Sequence, residues 1–174
     1  MLYYLMYMKK IVILIIIVLA VVAGVYFWKN KNNNPLSEYT ESYIHPIYNF
    51  SFNYPKDFTV TSIPNNGVET ILVQNTITKA AAQIVISPFK GGDVNITPDI
   101  IKTDIPDIKI DDAQEIPVGP SRKGLAFISD NPAFGGRSSE AWFVFKGNLY
   151  QISTYYEFDD FLKGIFKTWK FEQK

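Results

Sequence analysis

The distribution of apolar and polar positions divides the chain into three parts. Residues 11–28 read IVILIIIVLAVVAGVYFW, an apolar run without charge or proline, and residues 29–42 read KNKNNNPLSEYTES. From Tyr43 onward, apolar residues recur first at every second position and later at every third or fourth. These patterns predict a transmembrane helix over residues 11–28, a flexible linker over 29–42 and a globular domain over 43–174.

The apolar run has the length and the flanks of a membrane anchor. As a helix it is about 27 Å long, close to the hydrocarbon thickness of a bilayer. Lys9 and Lys10 precede it, and Tyr26, Phe27 and Trp28 stand at its end, where aromatic rings favour the lipid–water boundary. A short basic tail over residues 1–10 favours the cytoplasmic side. The chain is therefore predicted to be a single-pass protein of the cell membrane, with its C-terminal domain extracytoplasmic.

Three alternatives for this segment stay open. Cleavage as a signal peptide is conceivable between Ala23 and Gly24, but the apolar run continues past that point and favours an uncleaved signal anchor. Translation starting at Met8 would give a conventional basic start. A pilin-like subunit would also carry an N-terminal helix, but the expected Gly-Phe step with a Glu five residues on is missing around Gly24.

The first part of the domain has the sequence pattern of β-strands. Aromatic residues alternate with polar ones and place Tyr48, Phe50, Phe52 and Tyr54 on one face of a strand that ends at Pro55. Asn66-Gly67 predicts a two-residue hairpin turn, in a register that pairs Val60 with Val73. A third strand is predicted at about Ala81 to Ser87.

The middle of the domain is less regular. Thr97, Pro98 and Asp99 predict a helix start, and Pro106 predicts its end. Residues 108–111 alternate as in an edge strand, residues 112–122 resemble a loop, and residues 124–129 predict another strand.

Gly147-Asn148 predicts a second tight hairpin, which would pair Phe145 with Tyr150. Both faces of this hairpin are apolar. Strands of that kind need covering on both sides, so we expect helices or loops packed on either side of the sheet. The alternative is an exposed docking patch formed by Trp142, Val144 and Tyr155.

The chain ends in an amphipathic pattern typical of a helix. One stripe recurs at helical spacing, with acidic residues before it and lysines toward its end, the charge order that the helix dipole favours. The stripe consists of Phe158, Phe161, Leu162, Ile165, Phe166 and Trp169. The predicted fold class is therefore α+β: an N-terminal transmembrane helix, then an antiparallel β-sheet packed with helices.

Two segments carry a family resemblance. The opening YNFSFNYPKDFTV with its Asn-Gly hairpin, and the ending FDDFLKGIFKTWKF, resemble the first and last elements of PsbP-like domains, over roughly Tyr43 to Phe171. The resemblance implies an α/β/α sandwich that acts mainly through protein contacts. No residue matches a functional site of that family, and a photosynthetic role is not implied.

Composition narrows the chemistry. Lys plus Arg and Asp plus Glu both number 17, and no basic run is longer than two residues, the densest in the domain being Arg122-Lys123, so nucleic acid is not an expected partner. The absence of cysteine excludes disulfides, thiolate metal sites and a lipoprotein anchor. The single histidine, His45, is predicted to be exposed and without a catalytic role. These observations favour a non-enzymatic protein without a bound cofactor.

The best metal candidate is an acidic stretch formed by Asp104, Asp107, Asp111 and Asp112, although its spacing fits no known calcium loop and favours a solvated edge. The preferred hypothesis is a binding or scaffolding domain that contacts an unidentified protein. Residues 11–28 would anchor it in the lipid bilayer of the membrane. The alternative is a tethered domain that binds calcium at the acidic stretch, or a small ligand in a pocket between sheet and helix. An enzyme is the third choice.

Overall fold

The computed structural model describes residues 39–119 and 122–171, and strands predominate in this part of the chain. Three short strands form one antiparallel sheet, in the order β1-β2-β10. Their bounds are Glu41–Ile44 for β1, Phe50–Tyr54 for β2 and Lys170–Phe171 for β10.

Seven longer strands form the second antiparallel sheet. They lie side by side in the order β3-β4-β5-β9-β8-β7-β6, so β3 and β6 are its edges. Their bounds are β3 Thr59–Asn65, β4 Val68–Gln74, β5 Ala81–Pro88, β6 Asp111–Val118, β7 Arg122–Ser129, β8 Ser138–Phe145 and β9 Asn148–Tyr155.

Two α-helices accompany the sheets in the described residues. Helix α1 (Pro98–Asp104) begins as predicted: Thr97 Oγ1 accepts a hydrogen bond from the Ile100 backbone N–H, and Pro98 occupies the first turn. Helix α2 (Asp159–Thr168) is the predicted C-terminal helix, with acidic residues in its first turn and Lys167 in its last.

The predicted α+β class, a PsbP-like α/β/α sandwich, is wrong. The described domain is mostly β-structure in two antiparallel sheets, and one face of the large sheet is covered by the small sheet together with α2. Residues after α2 return as β10 and pair with β2. Alternating apolar residues show that a strand face is buried, but they do not show what covers it, because a second sheet can cover the face just as a helix can.

Both predicted hairpins form, one of them in a different register. The Asn66-Gly67 turn is confirmed, with positive φ at both residues and Val60 opposite Val73. The second turn is centred on Lys146-Gly147 instead of Gly147-Asn148, and it pairs Phe145 with Asn148. Because side chains alternate with a period of two, this two-residue shift leaves every side chain on its predicted face.

The predictions for residues 108–122 are wrong in part. No strand covers 108–110, and residues 112–118 of the segment read as a loop belong to β6, which pairs with β7. Strand β6 is an edge strand whose side chains are mostly exposed, so its sequence does not need to alternate. Pro117 is tolerated there because an edge strand leaves one row of N–H groups unpaired in any case.

The main core lies between the inner face of the large sheet and a layer made of the small sheet and α2. Phe50 of β2 stacks on Trp169 with ring centroids 4.5 Å apart, and Phe143 of β8 stacks on Tyr150 of β9 at 4.8 Å. The large sheet contributes Ile71, Val73, Ala82, Ile84, Ile86, Val118, Ala141, Phe143, Tyr150 and Ile152.

A smaller core lies on the outer face of the large sheet. Helix α1 and the segment before it cover part of that face, where Ile96 and Ile101 pack with strand residues. The strand residues are Leu125, Phe127, Trp142 and Val144.

The folded domain begins before the predicted boundary at Tyr43. Tyr39 is buried, and its hydroxyl donates a hydrogen bond to the Phe161 carbonyl oxygen at 3.1 Å. Residues 39–42 therefore belong to the domain and not to the linker. The predicted tail 1–10, transmembrane helix 11–28 and remaining linker 29–38 lie outside the described residues. Within the described residues, no helix has the length and apolar character needed to cross a membrane.

Candidate functional site

The acidic stretch predicted as a metal candidate is dispersed. Asp104, Asp107, Asp111 and Asp112 are all exposed, and Asp111 forms a surface ion pair with Lys109. In the described ranges, no three His, Cys, Asp or Glu residues lie close enough together to hold a metal ion. The stretch therefore gives no support to the calcium alternative.

The three residues of the predicted docking patch are not an open surface. Trp142 and Val144 are 7% and 2% exposed, because they belong to the core under α1. Tyr155 is half-buried, and its ring packs edge-on against Phe134. The expected covering of this face is present, so a binding surface has to be sought elsewhere.

His45 is buried at 1% exposure, so its predicted exposure is wrong. Its Nδ1 accepts hydrogen bonds from the backbone N–H groups of Ile47 and Tyr48, both at 3.1 Å. An acceptor nitrogen carries no proton, so the proton lies on Nε2, which donates to Glu69 Oε1 at 2.9 Å. His45 thus shapes the β1–β2 turn and ties it to β4, which is a structural role.

Glu69 has a perturbed carboxyl group. Burial alone raises the pKa of Glu69, but the hydrogen bonds from Ser62 and His45 outweigh it, so the pKa lies below its ordinary value. Next to it, burial and the charge of Glu69 raise the pKa of Tyr43. These groups join the two sheets at one end of the domain.

A second buried carboxylate, Glu140, lies on the outer face of β8. Its oxygens accept hydrogen bonds from Ser138 Oγ at 2.7 Å, Trp142 Nε1 at 3.1 Å and Asn131 Nδ2 at 3.2 Å, and also from Ser153 Oγ. Neutral donors therefore satisfy both oxygens. This network fixes the turn after β7 to the sheet and is also structural.

The feature that resembles a binding site is a groove of about 540 Å³ between α2 and the strands β6, β7 and β8. The small sheet and α2 cover the middle of the inner face and Val118 of β6, but they leave the part of that face around Ile116, Ala126 and Ile128 only half-buried. The strand side of the groove presents Asp112, Gln114, Ile116, Ala126, Ile128, Ser139 and Ala141. Of the polar residues, Asp112 and Gln114 are exposed and Ser139 is buried beside the apolar floor.

Helix α2 forms the other wall of the groove. Its groove face combines two apolar residues with three charged ones, namely Asp159, Leu162, Lys163, Phe166 and Lys167. The hydrogen bond and attraction to Asp159 raise the pKa of Lys163, whose ammonium group lies 2.5 Å from that carboxylate. The groove is therefore an apolar slot with charged walls.

Sequence reasoning anticipated a pocket between sheet and helix but not its lining. Of the predicted site residues, the structure brings only Asp112 to the groove. Ala126 and Ile128 belong to the predicted strand over 124–129, but the alternation gave no sign that their face is left open. Gln114 and Ile116 were missed because β6 was read as a loop.

Comparison of the sequence with models of known protein families finds no match, and comparison with curated proteins finds none either. The resemblance to PsbP-like domains therefore stays a prediction from sequence motifs.

Proposed function

We propose that this domain is a non-catalytic binding module that takes an extended apolar segment of a partner protein into the groove between α2 and strands β6 to β8. The observation that carries the proposal is the uncovered apolar floor, where Ile116, Ala126 and Ile128 are only half-buried, whereas the apolar residues at the centre of the inner face are fully buried. Apolar surface in a concave slot with a few polar groups is typical of binding sites.

The shape of the groove favours a polypeptide as the occupant. Its helical wall from Asp159 to Lys167 is about 12 Å long, enough for about four residues of extended chain. Strand β6 at its mouth is an edge strand, and edge strands offer main-chain groups to an added peptide. Both ring nitrogens of His45, the histidine that a catalytic site would need, are already hydrogen-bonded to Glu69 and to backbone N–H groups.

A small apolar ligand is the second candidate for the same groove. Its volume of about 540 Å³ falls within the range of small-molecule sites. A fluorescent fatty acid that binds the full chain and is lost in Ala126→Phe, on a chain that selects no peptide, would favour this candidate.

Attachment to a membrane, with the domain outside, remains a proposal from the sequence of residues 11–28. It would hold the groove near the membrane surface, where the partner would be another envelope protein.

Selection from a displayed library of random peptides tests the proposed function. Peptides selected on the full chain should bind in the groove, so Ala126→Phe, which fills the floor, should weaken them at least about tenfold. The matched control is Ala81→Phe, a half-buried alanine on the outer face of β5, which should leave the affinity unchanged. Selection of no peptide, or equal loss with both variants, would contradict the proposal.

A further inference from the structure

The two ends of the groove differ in charge, as strand register shows. Ile128 lies opposite Asp111 on one side and Ser139 on the other, and Ser139 lies opposite Thr154 near the end of β9. Helix α2 begins shortly after β9 ends. The Asp112 end of the strand wall and the Asp159 end of the helix wall therefore meet at the same end of the groove.

The opposite end of the groove lies near the last turn of α2. Ile116 is paired with Gly124, and a side chain at Gly124 would meet Phe143. The Phe166 ring packs edge-on against Phe143 with centroids 6.1 Å apart. Lys167, next to Phe166 on the helix, therefore lies at the Ile116 end of the groove.

Internal pairing leaves one charge of each sign available in the lining. Lys163 pairs with Asp159 and also lies 3.5 Å from Asp160. In the part of the chain that the structure describes, neither Asp112 nor Lys167 has an ion-pair partner, and both are exposed. Two other cations belong to this region: Lys109 pairs with Asp111, and Arg137 stacks on the ring of Tyr156, a residue of the groove lining.

We infer that the groove selects peptides with one basic and one acidic side chain about four residues apart, and an apolar side chain midway between them. Asp112 and Ile116 are four residues apart in β6, at most about 13 Å because a β-bulge interrupts the strand between Asp111 and Gln114, so about four residues of extended chain are enough to reach from one to the other. Positions i, i+2 and i+4 of an extended peptide share one face, so the middle side chain enters the apolar floor. This inference rests on the proposed function.

Four labelled peptides of equal length test it on the full chain by fluorescence polarisation. Their cores are Lys-Ser-Leu-Ser-Glu, Lys-Ser-Leu-Ser-Lys, Glu-Ser-Leu-Ser-Glu and Gln-Ser-Leu-Ser-Gln. The first should bind about three- to tenfold more tightly than the others, by the usual strength of exposed charge pairs, and the difference should shrink at high salt.

Neutralising either groove charge tests whether Asp112 and Lys167 cause the selectivity for charged peptides. Asp112→Asn keeps a residue type that tolerates the positive φ at that position, and it should weaken the dipolar peptide about threefold, as should Lys167→Gln. The matched controls are Asp99→Asn on α1 and Lys170→Gln on β10, which change the same charges outside the groove lining and should have no effect.

The outcomes separate the two levels of the argument. Equal binding of all four peptides, lost in Ala126→Phe, would overturn the charge selectivity while leaving the proposed function in place. Binding that Ala126→Phe does not weaken, or no binding of any peptide, would overturn both.

Discussion

Among single residues, His45 and Glu69 show how a buried polar pair serves this fold. Both nitrogens of the imidazole are engaged, and its bond to Glu69 connects the β1–β2 turn with β4 of the other sheet. Because His45 stands beside Pro46 and close to a polar spacer, the sequence pattern predicts that this histidine is exposed. Its burial depends on Glu69, a partner 24 residues away, and no local pattern reveals that contact.

The lowered pKa of Glu69 predicts how stability depends on pH. The carboxyl group has its ordinary pKa of 4.5 in the unfolded chain and a lower one in the folded domain. Its stabilising contribution is therefore complete above that value and is lost as the pH falls through the folded pKa. In urea unfolding, wild type should exceed Glu69→Gln in stability most at neutral pH, and the difference should shrink in acid.

Ser62→Ala serves as the intermediate variant, because it removes one of the two hydrogen bonds to the Glu69 carboxylate. It should lose part of the acid sensitivity that Glu69→Gln loses. A difference between wild type and Glu69→Gln that stays constant from neutral to acid pH would show that Glu69 is not perturbed in the folded domain.

At the scale of elements, α2 packs closely against the start of the domain, where Gly164 lies next to the ring of Tyr39. A methyl group at this glycine would collide with the ring of Tyr39, which is buried and held by its hydrogen bond to Phe161. Glycine inside a helix ordinarily costs about 1 kcal/mol relative to alanine. Here the glycine is retained because the Tyr39 ring occupies the space beside it.

A double-mutant cycle tests this fit. Gly164→Ala should destabilise the domain by about 1–2 kcal/mol, since overpacking outweighs the gain in helix propensity. In a Tyr39→Ala background the same change should stabilise by about 0.5–1 kcal/mol. Urea unfolding of the four proteins measures both effects, and stabilisation by Gly164→Ala in both backgrounds would contradict the contact.

Elements with strong local signals could be predicted, and elements defined by distant partners could not. The Asn66-Gly67 turn and the Thr97 cap are local chemistry, and the structure confirms both. Strand β6 reads as a loop because an exposed edge strand does not have to alternate. The β8–β9 turn was misplaced by one position because Lys146, a residue type that rarely adopts positive φ, occupies its first position.

For the whole molecule, the sequence shows which strand faces are buried but not what buries them. Apolar residues on both faces of β8 and β9 predicted covering on both sides, which the structure contains. The main cover is a second sheet closed by the two-residue strand β10, a pairing across more than a hundred residues that has no local signature. The groove lies where that covering layer ends. The sequence could therefore predict a pocket between sheet and helix, but not its position.

The most direct test of the groove as the binding surface is hydrogen–deuterium exchange of the full chain with and without a saturating selected peptide. Bound peptide should slow amide exchange in β6 and in α2, which form the two walls, and leave β3 and β4 at the opposite edge of the sheet unchanged. Protection confined to β3 and β4, or to the outer face around α1, would contradict the account.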